Sequence, residues 1–235
     1  MSDGHFRAAD ILMSGRFITF EGGEGAGKST QIERLRRRLE ADGLSVVVTR
    51  EPGGSPKAED IRQFLLQGKA KEHGTFAEAL LFSAARLDHL RSTIRPALAK
   101  GTYVLSDRFA DSTRAYQGAL GQVDDRLIRL LERVVVEDTR PDLTLVLDVP
   151  ADVGLARANR RRIDAGSTID RFEAENQAFH EDLRQAFLKI AAAEPDRCVV
   201  IDASADPDAV EQQIWACVED RLLSGSSLQA EAYAG

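Results

Sequence analysis

Short apolar segments recur along the chain and alternate with longer segments that have helical spacing. The apolar segments are nearly continuous, as expected for strands buried on both faces of a sheet. They lie at residues 16–21, 45–50, 102–107, 143–148 and 197–202. The apolar positions with helical spacing include Ile32, Leu35 and Leu39 early in the chain, and Val210, Ile214, Cys217 and Val218 near its end. The pattern predicts an α/β fold with a five-stranded, mostly parallel sheet and helices on both faces.

The same pattern predicts a single domain with a tail at each end. Residues 16–223 contain the predicted strands and helices, whereas residues 1–15 and 224–235 are small, polar and without period, which is typical of flexible tails. Near residues 157–169 an arginine-rich stretch ends in glycine and small polar residues. We expect this stretch to form a mobile lid between two helices.

Composition excludes several classes of function. The formal net charge is -7 and the isoelectric point is near 5.2, so extended nucleic-acid binding is not expected. Two distant cysteines, Cys198 and Cys217, indicate neither a disulfide framework nor a metal motif, which favours a reducing cytoplasm. The four histidines lack zinc-ligand spacing, and no apolar run predicts a signal peptide or a membrane span.

A phosphate-binding loop lies between the first predicted strand and the first predicted helix. Gly22, Gly27, Lys28 and Ser29 match the pattern G-x-x-x-x-G-K-[ST]. Glycines let successive N–H groups point into one concavity at a helix N-terminus, so a phosphate is the natural occupant. Lys28 would reach the β- and γ-phosphates, and the Ser29 hydroxyl would bind Mg²⁺. The predicted ATP-binding residues are Gly22, Gly23, Glu24, Gly25, Ala26, Gly27, Lys28, Ser29 and Thr30.

This loop predicts a nucleotide but leaves the phosphate acceptor open. The chain has no N-K-x-D segment, which argues against a GTPase. The alternatives are a kinase for a nucleoside monophosphate or a deoxynucleoside, a regulatory ATPase whose partner senses the position of the lid, and nucleic-acid binding by the arginine cluster. Acceptor specificity, acceptor-free ATP hydrolysis and salt-dependent oligonucleotide binding distinguish them.

Further segments make the chain similar to the thymidylate kinase family, over about residues 17–223. They are "GGEGAGKST" at 22–30, "TREPGG" at 49–54, "LLFSAARLDHL" at 80–90, "DRFADSTRAYQG" at 107–118, "RPDLTLVLDVP" at 140–150 and "IDRFE" at 169–173. The resemblance implies a P-loop nucleoside monophosphate kinase fold. It also implies Mg²⁺-dependent transfer of the ATP γ-phosphate to dTMP, giving dTDP and ADP for dTTP synthesis, and a homodimer.

The resemblance also implies roles around the phosphates. Asp107 and Arg108 end a buried strand, at the sheet edge where ligands of open α/β sheets bind. By resemblance, Asp107 helps to hold Mg²⁺ and Arg108 binds the acceptor phosphate. Glu51 is expected near the metal and the transferred phosphate. Arg62 matches a second arginine for the acceptor phosphate, and Arg50 is the alternative.

A helical segment around Phe82 and Arg86 is expected to bind the acceptor base. These two residues are four apart and share a helix face. The spacing predicts a core stripe of Leu80, Ala84 and Leu87, with Phe82 on the opposite side beside Glu78, Arg86 and His89. The family resemblance implies that Phe82 stacks on thymine and that Arg86 binds a base carbonyl. It implies base contacts for Thr113 and Gln117 and a sugar contact for Tyr116, while Phe109 replaces the usual tyrosine or histidine.

The lid arginines form a further candidate catalytic group. The phosphate loop contains Glu24 and no arginine, whereas the stretch near 157–169 contains Arg157, Arg160, Arg161 and Arg162. This arrangement resembles the family members that supply a catalytic arginine from the lid. A guanidinium would stabilise charge on the transferred phosphoryl group, and lid closure would exclude water. Arg161 is the first candidate and Arg160 the second; a solvated helix face is the alternative.

Overall fold

The computed structural model describes residues 15–166 and 172–223. Five strands form one sheet in the order β2-β3-β1-β4-β5, and each adjacent pair is parallel. The strands are β1 (Phe17–Glu21), β2 (Val46–Arg50), β3 (Tyr103–Asp107), β4 (Leu143–Asp148) and β5 (Cys198–Asp202). The predicted five-stranded α/β fold is confirmed, with every strand pairing parallel. The division into one domain and two tails stays a prediction, because residues 1–14 and 224–235 lie outside the described residues.

Helices connect the strands and cover both faces of the sheet. They are α1 (Lys28–Ala41), α2 (Pro56–Leu66), α3 (Gly74–His89), α4 (Arg95–Leu98), α5 (Ala110–Thr113), α6 (Asp125–Val136), α7 (Ala151–Ala165), α8 (Gln177–Ala193) and α9 (Pro207–Val218). Single π-helical segments continue α3, α5 and α9, at Leu90–Ile94, Arg114–Leu120 and Glu219–Leu223. Within the described ranges, no helix is both long and apolar enough to cross a membrane.

The hydrophobic core lies on both faces of the sheet. Ile18 and Phe20 of β1 pack with the apolar stripes of α1 and α9 on one face, as the spacing of those helices predicted. On the other face, Phe17 packs with Phe109 and the end of α3, and Val146 packs with α8. Because side chains alternate along a strand, Thr19 and Glu21 point to the same face as Phe17. This face carries the helices that hold the acceptor-side residues.

The core stripe predicted for α3 is wrong. Leu80 is 44% exposed and Ala84 is also exposed, while Leu87 is only half-buried. The buried positions are instead Glu78, Ala79, Ser83, Ala85, Arg86 and His89. Arg86 and His89 can be buried because they bond to a buried carboxylate of the β2–α2 loop, so the inward face of α3 is a polar one.

The predicted lid begins as regular helix. Residues 157–165 continue α7, which ends at Gly166 with a left-handed φ of 60°. Arginine is a good helix former, so an arginine-rich stretch extends a helix until glycine ends it. Residues 157–165 therefore do not interrupt the helix, and residues 167–169 lie outside the described residues. The mobile lid itself stays a prediction.

Candidate active site

The phosphate loop connects β1 to α1 and folds around the Lys28 side chain. Lys28 is 8% exposed, and its Nζ donates to the carbonyl oxygens of Gly22 and Gly23 at 3.2 and 3.0 Å. Gly25 has a φ of 67°, and a Cβ there would lie 1.9 Å from the carbonyl oxygen of Gly154 on α7. Only glycine fits this contact. The loop and the predicted lid helix are thus in direct backbone contact.

A hydroxyl and a carboxylate meet where α1 begins and β3 ends. The Ser29 Oγ donates to Asp107 Oδ2 at 3.2 Å. Asp107 pairs with Phe20 in the parallel sheet, which places it beside the phosphate loop. Within residues 15–166 and 172–223, no group of three or more His, Cys, Asp or Glu side chains could hold a metal by itself. The oxygen pair fits a Mg²⁺ ion whose other ligands are phosphate oxygens and water.

Arg108 links the phosphate loop to the helix that follows β3. Its backbone φ is 70°, an uncommon left-handed value for a non-glycine residue. Nη2 donates to Glu24 Oε1 at 2.8 Å, and Nη1 donates to Gly22 O at 3.1 Å and to Ser112 Oγ at 3.3 Å. Burial acts to raise the pKa of Glu24, but the charges of Arg108 and Lys28 outweigh it and lower that pKa. Glu24 is therefore a carboxylate that fixes the Arg108 guanidinium.

Glu21 holds the turn that follows β3 in place, a role that sequence reasoning missed. Its side chain is fully buried and accepts hydrogen bonds from the Phe109 backbone N–H at 2.8 Å and from Ser112 Oγ at 2.7 Å. Burial, together with the negative charge of Asp111, raises the pKa of Glu21 to about 7. Phe109 itself is buried edge-on against Phe17, with a centroid distance of 4.9 Å. The unusual phenylalanine is thus a core residue of this turn.

One pocket collects the predicted acceptor-binding residues. It has an empty volume of about 590 Å³. Its lining residues are Glu24, Glu51, Pro52, Arg62, Leu66, Phe82, Arg86, Arg108, Phe109, Ser112, Thr113, Tyr116, Gln117 and Phe172. All residues predicted to bind the acceptor are among them. Tyr116 stands edge-on to Phe172 at 5.2 Å, and Phe82 lies 6.4 Å from the same ring, so one part of the pocket is aromatic.

A second pocket joins the acceptor pocket to the phosphate loop. Its empty volume is about 660 Å³, and it shares Glu24, Glu51, Arg62 and Arg108 with the acceptor pocket. Its other lining residues are Gly25, Ala26, Gly27, Lys28, Ser29, Arg50, Asp107, Arg161 and Glu173. A donor phosphate on the loop and an acceptor phosphate near Arg108 would meet here. We call this space the phosphate pocket.

Glu51 lies at this junction, but its carboxylate has other partners than the sequence suggested. Oε2 accepts from Arg86 Nε at 2.7 Å, and Oε1 lies 3.0 Å from His89 Nδ1. Its predicted place near the metal and the transferred phosphate stays a prediction. Arg62 donates to the Pro52 carbonyl at 2.8 Å and lines both pockets. Arg50, the alternative, is held by Glu59 at 3.0 Å.

The lid arginines take different positions. Arg161 lines the phosphate pocket, with Nη2 3.9 Å from Glu173 Oε1, whereas Arg160 does not line it; both side chains are exposed. Arg157 donates to the carbonyl oxygens of Ala203 and Ser204 at 2.8 and 3.3 Å. Of the two catalytic candidates, the phosphate pocket includes only Arg161.

A third pocket beside the phosphate loop was missed by sequence reasoning. Arg157 and Arg161 line it, together with Thr30 and the loop between β5 and α9. This pocket adjoins the phosphate loop on the side away from the acceptor pocket. The part of a nucleotide beyond its phosphates would have room there. Arg157 fixes that loop through backbone carbonyl groups, and every residue type has a backbone carbonyl. No sequence pattern therefore marked the third pocket.

Comparisons with known proteins agree with this geometry. The family model described as "Thymidylate kinase" matches residues 20–214. A thymidylate kinase of Bradyrhizobium diazoefficiens is 57% identical over 209 residues, covering 89% of this chain and 91% of that protein. One of Bradyrhizobium sp. strain BTAi1 is 58% identical over 210 residues, covering 89% and 92%. The crystal structure of thymidylate kinase from Ehrlichia chaffeensis is 34% identical with a TM-score of 0.69, covering 88% of this chain and 99% of that one. The chain belongs to the thymidylate kinase family.

Proposed function

We propose that this protein transfers the γ-phosphate of ATP to dTMP, giving dTDP and ADP. The observation that carries the proposal is the junction of two pockets at Arg108 and Glu24, one lined by the phosphate loop and the other by the predicted acceptor residues. Direct transfer needs both phosphates in one space, in line and shielded from water. Thymidylate kinases that are 56–58% identical over most of this chain support dTMP as the acceptor.

Catalysis in this proposal is positioning plus electrostatic stabilisation. Lys28 leaves its carbonyl partners to bind the β- and γ-phosphates, and Arg161 approaches the transferred group from α7. Arg108 holds the acceptor phosphate while Glu24 fixes its guanidinium. Ser29 and Asp107 would hold Mg²⁺, which neutralises charge on the donor phosphate oxygens when it is bound. The γ-phosphoryl group passes to an acceptor phosphate oxygen, so no covalent protein intermediate is needed.

In this proposal, the aromatic part of the acceptor pocket and the polar groups beside it select the base. Phe82 offers a ring face for stacking, and Thr113 and Gln117 are buried polar groups at the pocket wall. Arg86 is buried with two of its nitrogens bonded to protein, so its remaining donors suit a carbonyl oxygen of the base. Tyr116 lies on the same wall, where we infer that it crowds a ribose 2'-hydroxyl.

The experiment that tests this function is an acceptor panel. Purified protein with ATP and Mg²⁺ is given dTMP, dUMP, dCMP, dGMP, AMP or no acceptor, and ADP and the phosphorylated product are identified by mass. We expect dTDP to form with a strong preference for dTMP. Faster phosphorylation of another monophosphate would overturn the acceptor assignment, and ADP formation without any acceptor would overturn the proposed transfer.

We also propose that the protein forms a homodimer. The neighbouring helices α2, α3 and α6 carry exposed large apolar side chains at Phe64, Phe76, Leu80, Leu127, Leu130 and Val134. Exposed apolar side chains that lie together on neighbouring helices form the kind of patch that marks a protein–protein interaction site. We expect Val134→Asp to shift the sedimentation coefficient toward that of a monomer, and Val200→Asp on β5 to leave it unchanged. A wild-type protein that sediments as a monomer at micromolar concentration would refute the dimer. The cytoplasmic location stays a prediction.

A further inference from the structure

A chain of polar groups, all buried except the half-buried Thr49, runs from the end of β2 to the acceptor pocket. His89 on α3 is fully buried, with its Nε2 2.7 Å from Thr49 Oγ1 and its Nδ1 3.0 Å from Glu51 Oε1. The other carboxylate oxygen of Glu51 accepts from Arg86 Nε at 2.7 Å. Because an ionised carboxylate only accepts hydrogen bonds, Nδ1 is the donating nitrogen of the imidazole. Thr49, His89, Glu51 and Arg86 therefore form one continuous polar chain.

The far end of this chain sets the orientation of a guanidinium in the pocket wall. Arg86 Nη2 donates to the Phe109 carbonyl at 3.0 Å and to Thr113 Oγ1 at 3.1 Å. Nη1 has no hydrogen-bond acceptor among the residues that the structure describes, and Arg86 lines the acceptor pocket. A planar guanidinium held at Nε and Nη2 has its Nη1 direction fixed. The bond to Glu51 thus controls where the free donors point.

The backbone of the β2–α2 loop is shaped around His89. Gly54 has a φ of 83°, and a Cβ there would lie 2.4 Å from His89 Nε2 and 2.4 Å from Thr49 Oγ1. The Gly54 carbonyl accepts from Thr93 Oγ1 at 2.8 Å, which fastens the same loop to the end of α3. The imidazole occupies space that any side chain at position 54 would fill. His89 is therefore built into the loop that carries Glu51.

We propose that His89 is a positioning residue for base selection, acting through Glu51 on Arg86. Its Nδ1–H holds Glu51 Oε1, so that Oε2 stays aligned with Arg86 Nε and Nη1 stays directed at a ring carbonyl of the acceptor base. A base with an amino group at that position offers a donor instead of an acceptor and is rejected. His89 itself does not line the pocket. The proposal rests on the proposed function.

Two substitutions at position 89 separate this role from simple packing. The amide nitrogen of Asn stands as far along its side chain as Nδ1 and can donate to Glu51, and the amide oxygen of Gln stands as far as Nε2 and can accept from Thr49. His89→Asn can therefore keep the hydrogen bond to Glu51, whereas His89→Gln keeps only the hydrogen bond with Thr49. We expect His89→Gln to raise the dTMP KM at least about tenfold, since a hydrogen bond to a charged group is lost. His89→Asn should stay within about threefold of wild type by the same reasoning.

The measurements are KM and kcat for dTMP and for ATP, the ratio of kcat/KM for dTMP over dCMP, and thermal unfolding of each variant. We expect the ATP KM to stay constant in both variants. The ratio of kcat/KM for dTMP over dCMP should fall in His89→Gln and not in His89→Asn. Equal dTMP KM values in the two variants, or a parallel rise of the ATP KM, would overturn the proposal. If His89→Gln does not fold, Thr49→Val is compared with Thr49→Ser. A rise of the dTMP KM in Thr49→Val alone supports the chain, and no rise overturns it.

These outcomes are distinct from failure of the proposed function. A wild-type protein that does not phosphorylate dTMP would remove the function and this inference together. A wild-type protein that phosphorylates dTMP, with His89→Gln and His89→Asn both indistinguishable from it, would remove only the role of His89.

Discussion

Replacing Arg108 with lysine keeps the positive charge at the junction of the two pockets but removes the planar fork. In the structure, Nη2 donates to Glu24 at 2.8 Å, while Nη1 donates to Gly22 and Ser112 at 3.1 and 3.3 Å. Lysine has a single nitrogen on a flexible stem and cannot hold these directions together. Glu24 would then lose a partner in a site where both side chains are largely buried.

The expected loss of activity in Arg108→Lys follows from the contacts that the substitution removes. A hydrogen bond to a charged group contributes about 1.5–3 kcal/mol, which corresponds to roughly 10- to 150-fold in rate or affinity. We expect kcat/KM for dTMP to fall within about that range. The ATP KM should change by less than about threefold, a difference below 1 kcal/mol, because Lys28 and the loop backbone still bind the donor.

The assay is steady-state ADP formation with each substrate varied in turn, and the matched control is Arg184→Lys. Arg184 on α8 also bonds to a carboxylate, making two bonds to Asp148 at 2.6 and 2.9 Å, but it lines neither the acceptor pocket nor the phosphate pocket. The control should keep wild-type kinetics. Equal losses of kcat/KM in the two variants, or an Arg108→Lys enzyme as active as wild type, would refute the role of Arg108.

Three further perturbations test other parts of the site. Lys28→Ala should lower kcat by about 10²–10³-fold in the same assay, and near-normal turnover by the folded variant would show that Lys28 is not needed for catalysis. Gly25→Ala should destabilise the protein by over about 2 kcal/mol more in denaturant titrations than Gly43→Ala. Both glycines have positive φ, but only Gly25 meets Gly154; equal losses would refute that contact. Burial raises the pKa of Glu21 to about 7. The protonated Glu21 side chain therefore stabilises the folded protein by roughly 3 kcal/mol below about pH 4.5, and this contribution is lost as the pH rises through 7. Glu21→Gln should flatten that decline in unfolding titrations from pH 4.5 to 8; an unchanged pH profile would contradict the assignment.

The strands were the most predictable part of the fold. Parallel strands buried on both faces need continuous apolar side chains, so each predicted segment begins within one residue of the observed strand and ends with it. The phosphate loop was predictable for a similar reason, because backbone curvature and close contact require glycine at fixed spacing. The acceptor residues were identified through the family resemblance, and the same pocket includes all of them.

Polar burial was the part that periodicity could not predict. The spacing of α3 assigned Leu80 to the core because helical patterns assume that apolar residues face inward. The inward face instead carries Arg86 and His89, whose burial depends on Glu51 from a loop distant in sequence. Glu21 was missed likewise, since its hydrogen-bond donors belong to the turn after β3. Long-range pairing of this kind leaves no local pattern.

Direct transfer between the two pockets is tested by following the γ-phosphate itself. The protein is mixed with γ-labelled ATP, Mg²⁺ and dTMP in a single turnover, and the label is traced to dTDP or to inorganic phosphate. Because the donor loop and the acceptor pocket open into one space at Arg108 and Glu24, we expect nearly all label in dTDP and almost none released without dTMP. Label that appears in inorganic phosphate at the same rate with and without dTMP would contradict direct transfer between the two pockets.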